Sequence, residues 1–242
     1  MIQTENTAIV LRHVNYRDND RMVTLLSPSR GRIDAMIRNC RKPKSHNLNS
    51  GELFALGDYM LHENGGHITV TSVRLIETFY PLRNDYDRLT CGIWLLNLAE
   101  AVIEPEQEQQ ELFMLLLHTL SRLTFSDQEW KPLLAGFLLH FSSCQGFKPR
   151  LNHCVFCGKK TEEGPLFFDA EEGGICCGMC HSRREQTPLT PGQVRWMRQA
   201  LTTGSSSWVN TEETQAPFTV LKDYVERRLG RRIKSTAMLP QR

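Results

Sequence analysis

The sequence predicts an α+β fold, strand-rich over its first eighty residues and helical beyond them, with a cysteine-rich insertion among the helices. Three observations carry this. Short β-branched or alternating segments recur between residues 8 and 73. Apolar residues at helical spacing take over from residue 85. Four cysteines, Cys154-x-x-Cys157, nineteen residues, then Cys177-x-x-Cys180, interrupt the helical pattern. A chain of 242 residues holds two compact units or one large one.

The strands come first. Ala8-Ile-Val-Leu-Arg-His-Val is short and β-branched, and Arg21-Met-Val-Thr-Leu-Leu-Ser follows the polar turn 15–20. Pro28-Ser-Arg-Gly31 is a turn, and Arg32-Ile-Asp-Ala-Met-Ile-Arg alternates as a half-buried strand should. A loop rich in Lys, Pro, Ser and Asn spans 41–51. Residues 53–62 and 67–73 then form two strands joined through Asn64-Gly65-Gly66, a hairpin signal. Five short strands with a long connection before the fourth suit a small closed barrel such as the OB-fold. Periodicity alone leaves an SH3-like barrel equally open.

The helices follow. Asp85 caps a run through Ile103 with Leu89, Ile93, Leu96 and Ala99 near helical spacing. Leu112, Leu115, Leu116, Thr119, Leu120 and Leu123 make the next stripe, and Asp127 caps a third helix whose residues 133–141 are apolar nearly all round. Thr190-Pro191 opens a helix carrying Val194, Met197 and Leu201, and a last one carries Phe218, Leu221, Val225 and Leu229 before Gly230. These stripes are core. The expected domains are therefore 1–80 and 81–242, the cysteine insertion occupying about 151–186.

The cysteine spacing specifies a metal. A two-residue gap lets both thiolates of a tight turn face one tetrahedral ion, and two such knuckles close a structural zinc site. Cys154, Cys157, Cys177 and Cys180 are the expected ligands. A disulfide framework requires a secreted chain, whereas the first twenty residues are charged throughout and contain no apolar leader core. A redox motif uses one pair, and a catalytic zinc keeps one position open for water. Cys176 breaks the gap to Cys180 and is read as packed, as are Cys40, Cys91 and Cys144. His153 and His181 flank the knuckles without being needed as ligands. The stretch His62-Glu63-x-x-x-His67 spaces its histidines wrongly for a metalloprotease and contains Gly65-Gly66, so it is a surface turn. Gly158-Lys-Lys-Thr lacks the upstream glycine of a phosphate-binding loop.

The net charge of +2 is uninformative, but its distribution is not. Arg30, Arg32, Arg38, Arg41, Lys42 and Lys44 stand within fifteen residues, opposed only by Asp34. Even spacing places Arg30, Arg32 and Arg38 on one strand face, and Arg12, Arg17 and Arg21 extend the patch from neighbouring strands. Such a surface attracts phosphates and releases counterions on binding. A solvated edge that resists aggregation is the alternative. Tyr16 alone offers an aromatic face nearby, which argues for backbone binding with little sequence preference. Arg227, Arg228, Arg231, Arg232 and Lys234 form a second cluster, where a helix dipole also favours cations. The acidic residues Glu100, Glu104, Glu106, Glu108 and Glu111 lie far away in sequence.

In the order of its parts the chain resembles the bacterial RecO family of recombination mediators and DNA-repair proteins. The likeness lies in Ala8-Ile-Val-Leu-Arg, Asp20-Arg21-Met-Val-Thr-Leu-Leu-Ser-Pro and Arg30-Gly31-Arg32-Ile33. It continues through Arg38-Asn-Cys-Arg41-Lys42-Pro43-Lys44-Ser45, both cysteine knuckles and the closing Leu229-Gly-Arg-Arg-Ile-Lys-Ser. The helical middle matches in character more than in motif. Asn39 and Cys40 stand where the family carries further small and basic residues, and some members lack the zinc cysteines. The resemblance implies an N-terminal OB-fold, a helical domain and an inserted zinc ribbon in a cytoplasmic protein. It implies binding of single- and double-stranded DNA, annealing of complementary strands and help in loading the RecA recombinase. RecR and the acidic tail of the single-strand DNA-binding protein are the implied partners. No catalytic constellation is evident, and annealing requires none, so a non-enzyme is expected. A zinc-ribbon interaction scaffold and an accessory subunit of a nuclease or polymerase are the other classes. No apolar run reaches membrane-span length.

Overall fold

A computed structural model describes residues 2–161, 164–181 and 186–240. Two compact units emerge: residues 1–117 with 237–242, and residues 118–236.

In the first unit, β1 (Ile2–Tyr16), β2 (Asp20–Ser27), β3 (Gly31–Ile37), β4 (Leu56–Asn64) and β5 (His67–Glu77) close a barrel in the order β1-β2-β3-β5-β4. β1 is long enough to serve two partners: its first half pairs with β4, its second with β2. A register shift between Val10 and Arg12 marks the bend that makes this possible. The parallel pairing of Met36 and Ile37 with Thr69 and Val70 closes the ring. This order is that of an OB-type barrel, which decides between the two barrels that periodicity left open. Alternate residues fill its interior: Ala8, Val10, Val23, Leu25, Ile33, Ala35, Ile37, Tyr59, Leu61 and Val70 are buried. The Tyr59 hydroxyl donates to the Ser50 and Ala55 carbonyls at 2.9 and 3.1 Å, so its polar tip is satisfied inside the core.

The expected strand at residues 8–14 begins earlier, at Ile2. Gln3-Thr-Glu-Asn-Thr carries no apolar signal, but the β4 edge supplies a complete ladder for it. Gly31 has φ +63°, and a Cβ there would collide with the backbone carbonyl oxygens of Glu104 and Gln107. The segment 104–109 is laid against this turn by Arg32 N–H donating to Glu104 O (3.0 Å) and Gln109 N–H to Pro28 O (2.8 Å). Gly31→Ala is therefore expected to cost on the order of 2 kcal/mol or more, read as a lowered urea midpoint at unchanged m-value.

Helix α1 (Tyr86–Glu100) starts as expected, with the Asp85 side chain accepting from Arg88 N–H. It ends three residues before Ile103. α2 (Gln110–Phe125) carries the chain into the second unit. α3 (Trp130–Cys144) is buried nearly all round, as its composition requires. Its N-cap position is held by Glu129 without a side-chain cap bond, so the expectation for Asp127 fails by two residues. α4 (Pro191–Ala200) opens with a full capping box between Thr190 and Gln193. α5 (Phe218–Arg228) stops before Gly230, whose φ is +66°.

Within this unit β6 (Leu166–Asp169), β7 (Gly174–Cys177) and β8 (Gln186–Leu189) form a three-stranded sheet in the order β7-β6-β8. β6 and β7 form an antiparallel hairpin, and β8 pairs with the other edge of β6. Residues 162–163 and 182–185 of the expected insertion lie outside the described residues. The insertion is tied to the helices at defined points. Arg198 of α4 donates to the Leu151 carbonyl (2.6 Å) and to the Thr161 carbonyl and hydroxyl (2.8 Å each). On α5, the Tyr224 ring meets Phe168 edge-on at 5.2 Å while its hydroxyl donates to Phe147 O at 2.6 Å.

Candidate metal centre and nucleic-acid surface

The sulfur-bearing turns are built by local hydrogen bonds. Cys154 N–H donates to Lys159 O (2.8 Å) and Gly158 N–H to Cys154 O (3.0 Å), folding the first knuckle, with Gly158 at φ +72°. Cys180 N–H donates to Cys177 O at 3.0 Å in the second. Val155 N–H to Ile175 O (2.9 Å) fastens one to the other. The ligand atoms of Cys154, Cys157, Cys177 and Cys180 consequently all lie within 4.8 Å of one another. Cys157 Sγ is 3.8 Å from Cys177 Sγ. Tetrahedral thiolates on a zinc-sized ion, each about 2.3 Å from it, are separated by about 3.8 Å. That pair stands at the spacing a zinc-sized ion requires, and the four donors converge closely enough to hold one metal ion.

The electrostatics agree. Desolvation raises the Cys154 pKa, but the backbone amides of Cys157, Cys177 and Phe156 outweigh it and bring the thiol down to about 6. Cys180 is pushed up to about 12, first by its hydrogen bond with Cys157. Four sulfurs this close ionise together only around a cation. Buried Cys176 is also pushed up to about 12, by desolvation and then by Cys154 and Cys177, which suits a packed thiol. His181 stacks on Phe167 at 3.7 Å, with Nδ1 2.7 Å from Gln186 Oε1. Among the described residues these cysteines are the only converging group of three or more metal-ligating side chains.

The basic residues divide into two sets. In the first, acids occupy the cations. Arg12 lies 3.6 Å from Glu100, and Arg21 lies 2.5 Å from Glu52 with only 12% of its side chain exposed. Arg30 is held at 2.5 Å by both Glu63 and Glu106, and Arg32 at 2.8 Å by Asp34. Sequence separation misleads here. The acidic stretch that follows α1 returns against the β2–β3 turn, placing Glu106 on Arg30. The single-face expectation also needs correction. β3 ends at Ile37, so Arg30 and Arg38 sit in turns at its opposite ends.

In the second set, Arg17, Arg38, Arg41, Lys42 and Lys44 are exposed, and among the described residues no carboxylate lies within ion-pair distance of any of them. Two turns bring them to one end of the barrel. Asn39 N–H donates to Asp20 Oδ1 (2.8 Å), Arg41 N–H to Asn19 O (3.1 Å) and Arg41 Nη1 to Asp18 O (3.0 Å). Arg17 and Asn39 take positive φ of 53° and 55° to make these turns, and buried Cys40 plugs the gap beneath. Cys40 is thus the hydrophobic anchor of the loop.

Beside this end runs an outward row that residue-type reasoning missed. Val14 pairs with Met22, and Met22 with Met36, across β1-β2-β3. Val14 and Met22 are exposed, and Tyr16 beyond them carries the Arg17 guanidinium 5.2 Å from its ring centre. Strict alternation on β2, with Val23 and Leu25 inward, places Met22 outward, so the signal was available.

A family model described as "Recombination protein O N terminal" matches residues 1–79, and one described as "Recombination protein O C terminal" matches residues 83–237. The chain is 32% identical to the DNA repair protein RecO of Anaeromyxobacter dehalogenans, over 100% of this chain and 97% of the relative. It is 34% identical to the DNA repair protein RecO of Alkaliphilus metalliredigens, covering 75% of this chain and 72% of that one. Matches that run from the barrel through the cysteine knuckles to the last helix leave one assignment: the chain belongs to the RecO family of DNA-repair proteins.

Proposed function

We propose that this chain is a recombination mediator that binds single- and double-stranded DNA by charge and anneals complementary strands. The observation that carries the reading is the cluster of exposed cations at one end of the barrel, outside ion-pair distance of any described carboxylate: Arg17, Arg38, Arg41, Lys42 and Lys44. Neutralising phosphates lowers the repulsion between two strands, so annealing needs positioned charge and no bond-breaking group. The row Val14, Met22, Met36, with Tyr16, gives unpaired bases an apolar surface to rest on. OB barrels take oligonucleotides on this β2–β3 face and its loops. Residues 1–80 are the nucleic-acid-binding part in this reading. Arg21, Arg30 and Arg32 shape the barrel and its flanking loop, their charges being already paired, whereas the exposed Arg12, 3.6 Å from Glu100, stays within reach of a phosphate.

The ion is zinc, with a structural role: four thiolates would complete its coordination and leave no position for substrate. The protein acts without catalysis in the cytoplasm. With RecR it helps load RecA onto strands covered by the single-strand DNA-binding protein, whose acidic tail it engages. No helix among the described residues is long and apolar enough to cross a membrane.

Salt titration of oligonucleotide binding tests this, together with a strand-annealing assay. The logarithm of affinity is expected to fall linearly with the logarithm of salt, by about 0.7 per contacted phosphate on single strands. Affinity independent of ionic strength would point to the interaction scaffold instead. Replacing Arg30 and Arg32 by Ala is expected to change that slope by less than one such contact while lowering thermal stability.

A further inference from the structure

The second unit contains a groove of about 870 Å³ between the first knuckle and α4. Lys148, Arg150, His153 and Arg198 contribute to its lining, which includes no Asp or Glu among the described residues. At its rim stands Phe156, the residue before the second cysteine of the knuckle, with 51% of its surface exposed. Val155 turns the other way, its methyl group close against Gly174. The Phe156 backbone is pinned from both sides by Cys154 and Cys157 and by the turn hydrogen bonds described above. A solvated aromatic on a rigid tip loses little entropy when something stacks on it.

The cations differ in availability. Arg198 is committed to the Leu151 and Thr161 carbonyls and serves as a pillar. Arg150 donates to the Glu172 carbonyl at 3.0 Å and pairs with its carboxylate at 3.5 Å, both exposed contacts that leave the rest of the guanidinium to a phosphate. Lys148 is exposed and, among the described residues, has no carboxylate within ion-pair distance.

We propose that this groove is a second single-strand nucleic-acid site, with one base stacked on Phe156 and the adjoining phosphates on Lys148 and Arg150. An aromatic face beside exposed cations is the chemistry of sequence-tolerant strand binding. An acidic peptide would satisfy the cations equally, but its apolar anchor needs an enclosing socket, whereas Phe156 projects outward and offers a flat face. The proposal rests on the nucleic-acid reading above and extends it. Two separate strand sites on one chain would let a mediator hold both strands to be annealed.

The test uses the full zinc-loaded chain, a fluorescent oligothymidylate and a variant with Arg38, Arg41, Lys42 and Lys44 all changed to Ala. That variant is expected to keep weak, salt-dependent binding. Adding Phe156→Ala should weaken it by about 5- to 150-fold, the range for losing one base–aromatic stack. Phe156→Trp should retain binding and Phe156→Leu should not, with zinc content and circular dichroism unchanged in all three. An oligonucleotide carrying 5-iodouracil should crosslink to the peptide containing Phe156. Unchanged binding by Phe156→Ala, with the loop variant still much weaker than the parent, would overturn the groove and leave the barrel reading standing. Absence of salt-dependent binding by the parent chain would overturn both. Binding of a fluorescent acidic peptide that needs Phe156, with oligonucleotide affinity indifferent to it, would also overturn the proposal.

Discussion

A Cys154→Ser, Cys157→Ser double variant is expected to lose its metal and the order of the insertion, by far the larger of two major effects. Binding of structural zinc by four thiolates is coupled to folding and is worth on the order of 10 kcal/mol. Removing two ligands leaves the small sheet with its short ladders, the backbone bonds of Arg150 with Gly173 and Ile175, and the Phe168–Tyr224 contact. Metal content by mass spectrometry should fall from one equivalent to none. Limited proteolysis should cut within 151–189, while the barrel keeps its cooperative unfolding. A Cys176→Ser variant serves as the control and should retain metal, since its sulfur lies outside the converging set. Full metal occupancy in the double variant would refute the ligand assignment. Acid should act in the same direction. The Cys154 thiol is brought from its ordinary value of 9.0 down to about 6, so its thiolate favours the folded knuckle above 9. In the metal-free knuckle that contribution is lost as pH falls through about 6; protons compete with the metal for the same sulfurs, so metal content should fall on acidification.

The second large effect concerns the loop cations. Changing Arg38, Arg41, Lys42 and Lys44 together to Ala should lower affinity for single strands by two to three orders of magnitude near physiological salt, roughly what four phosphate contacts supply. The slope of log affinity against log salt should drop by about 2.8 at the same time. Stability should be nearly unchanged, because these side chains are exposed and Cys40, the buried anchor of the loop, is untouched. A double-strand probe should show a parallel loss. Equal affinity and slope in variant and parent would leave the loop as solvated surface.

The contrast between these cations and their neighbours shows where residue-level reading stops. Arg30 and Arg38 look alike in sequence, flanking one short strand. Glu106, 76 positions from Arg30, neutralises one and leaves the other free. No local pattern encodes that pairing, because it depends on how the segment after α1 returns to the β2–β3 turn. The same holds for the first half of β1, whose polar residues become a strand only because β4 offers an edge. β8, with Pro188 in it, is likewise made a strand by its neighbour β6.

The sequence by itself determined whatever is short-range. Alternation specified the barrel strands, the capping residues placed α1 and α4, and a two-residue gap repeated at Cys154 and Cys177 specified a thiolate site. Those signals survive because each depends on neighbours within a turn or a strand pair. Only the tertiary structure decided which barrel closes and which arginines still carry uncompensated charge. Strand order and ion pairing between distant segments are set by the packing of the whole unit, and charge falls off over distances that sequence does not measure.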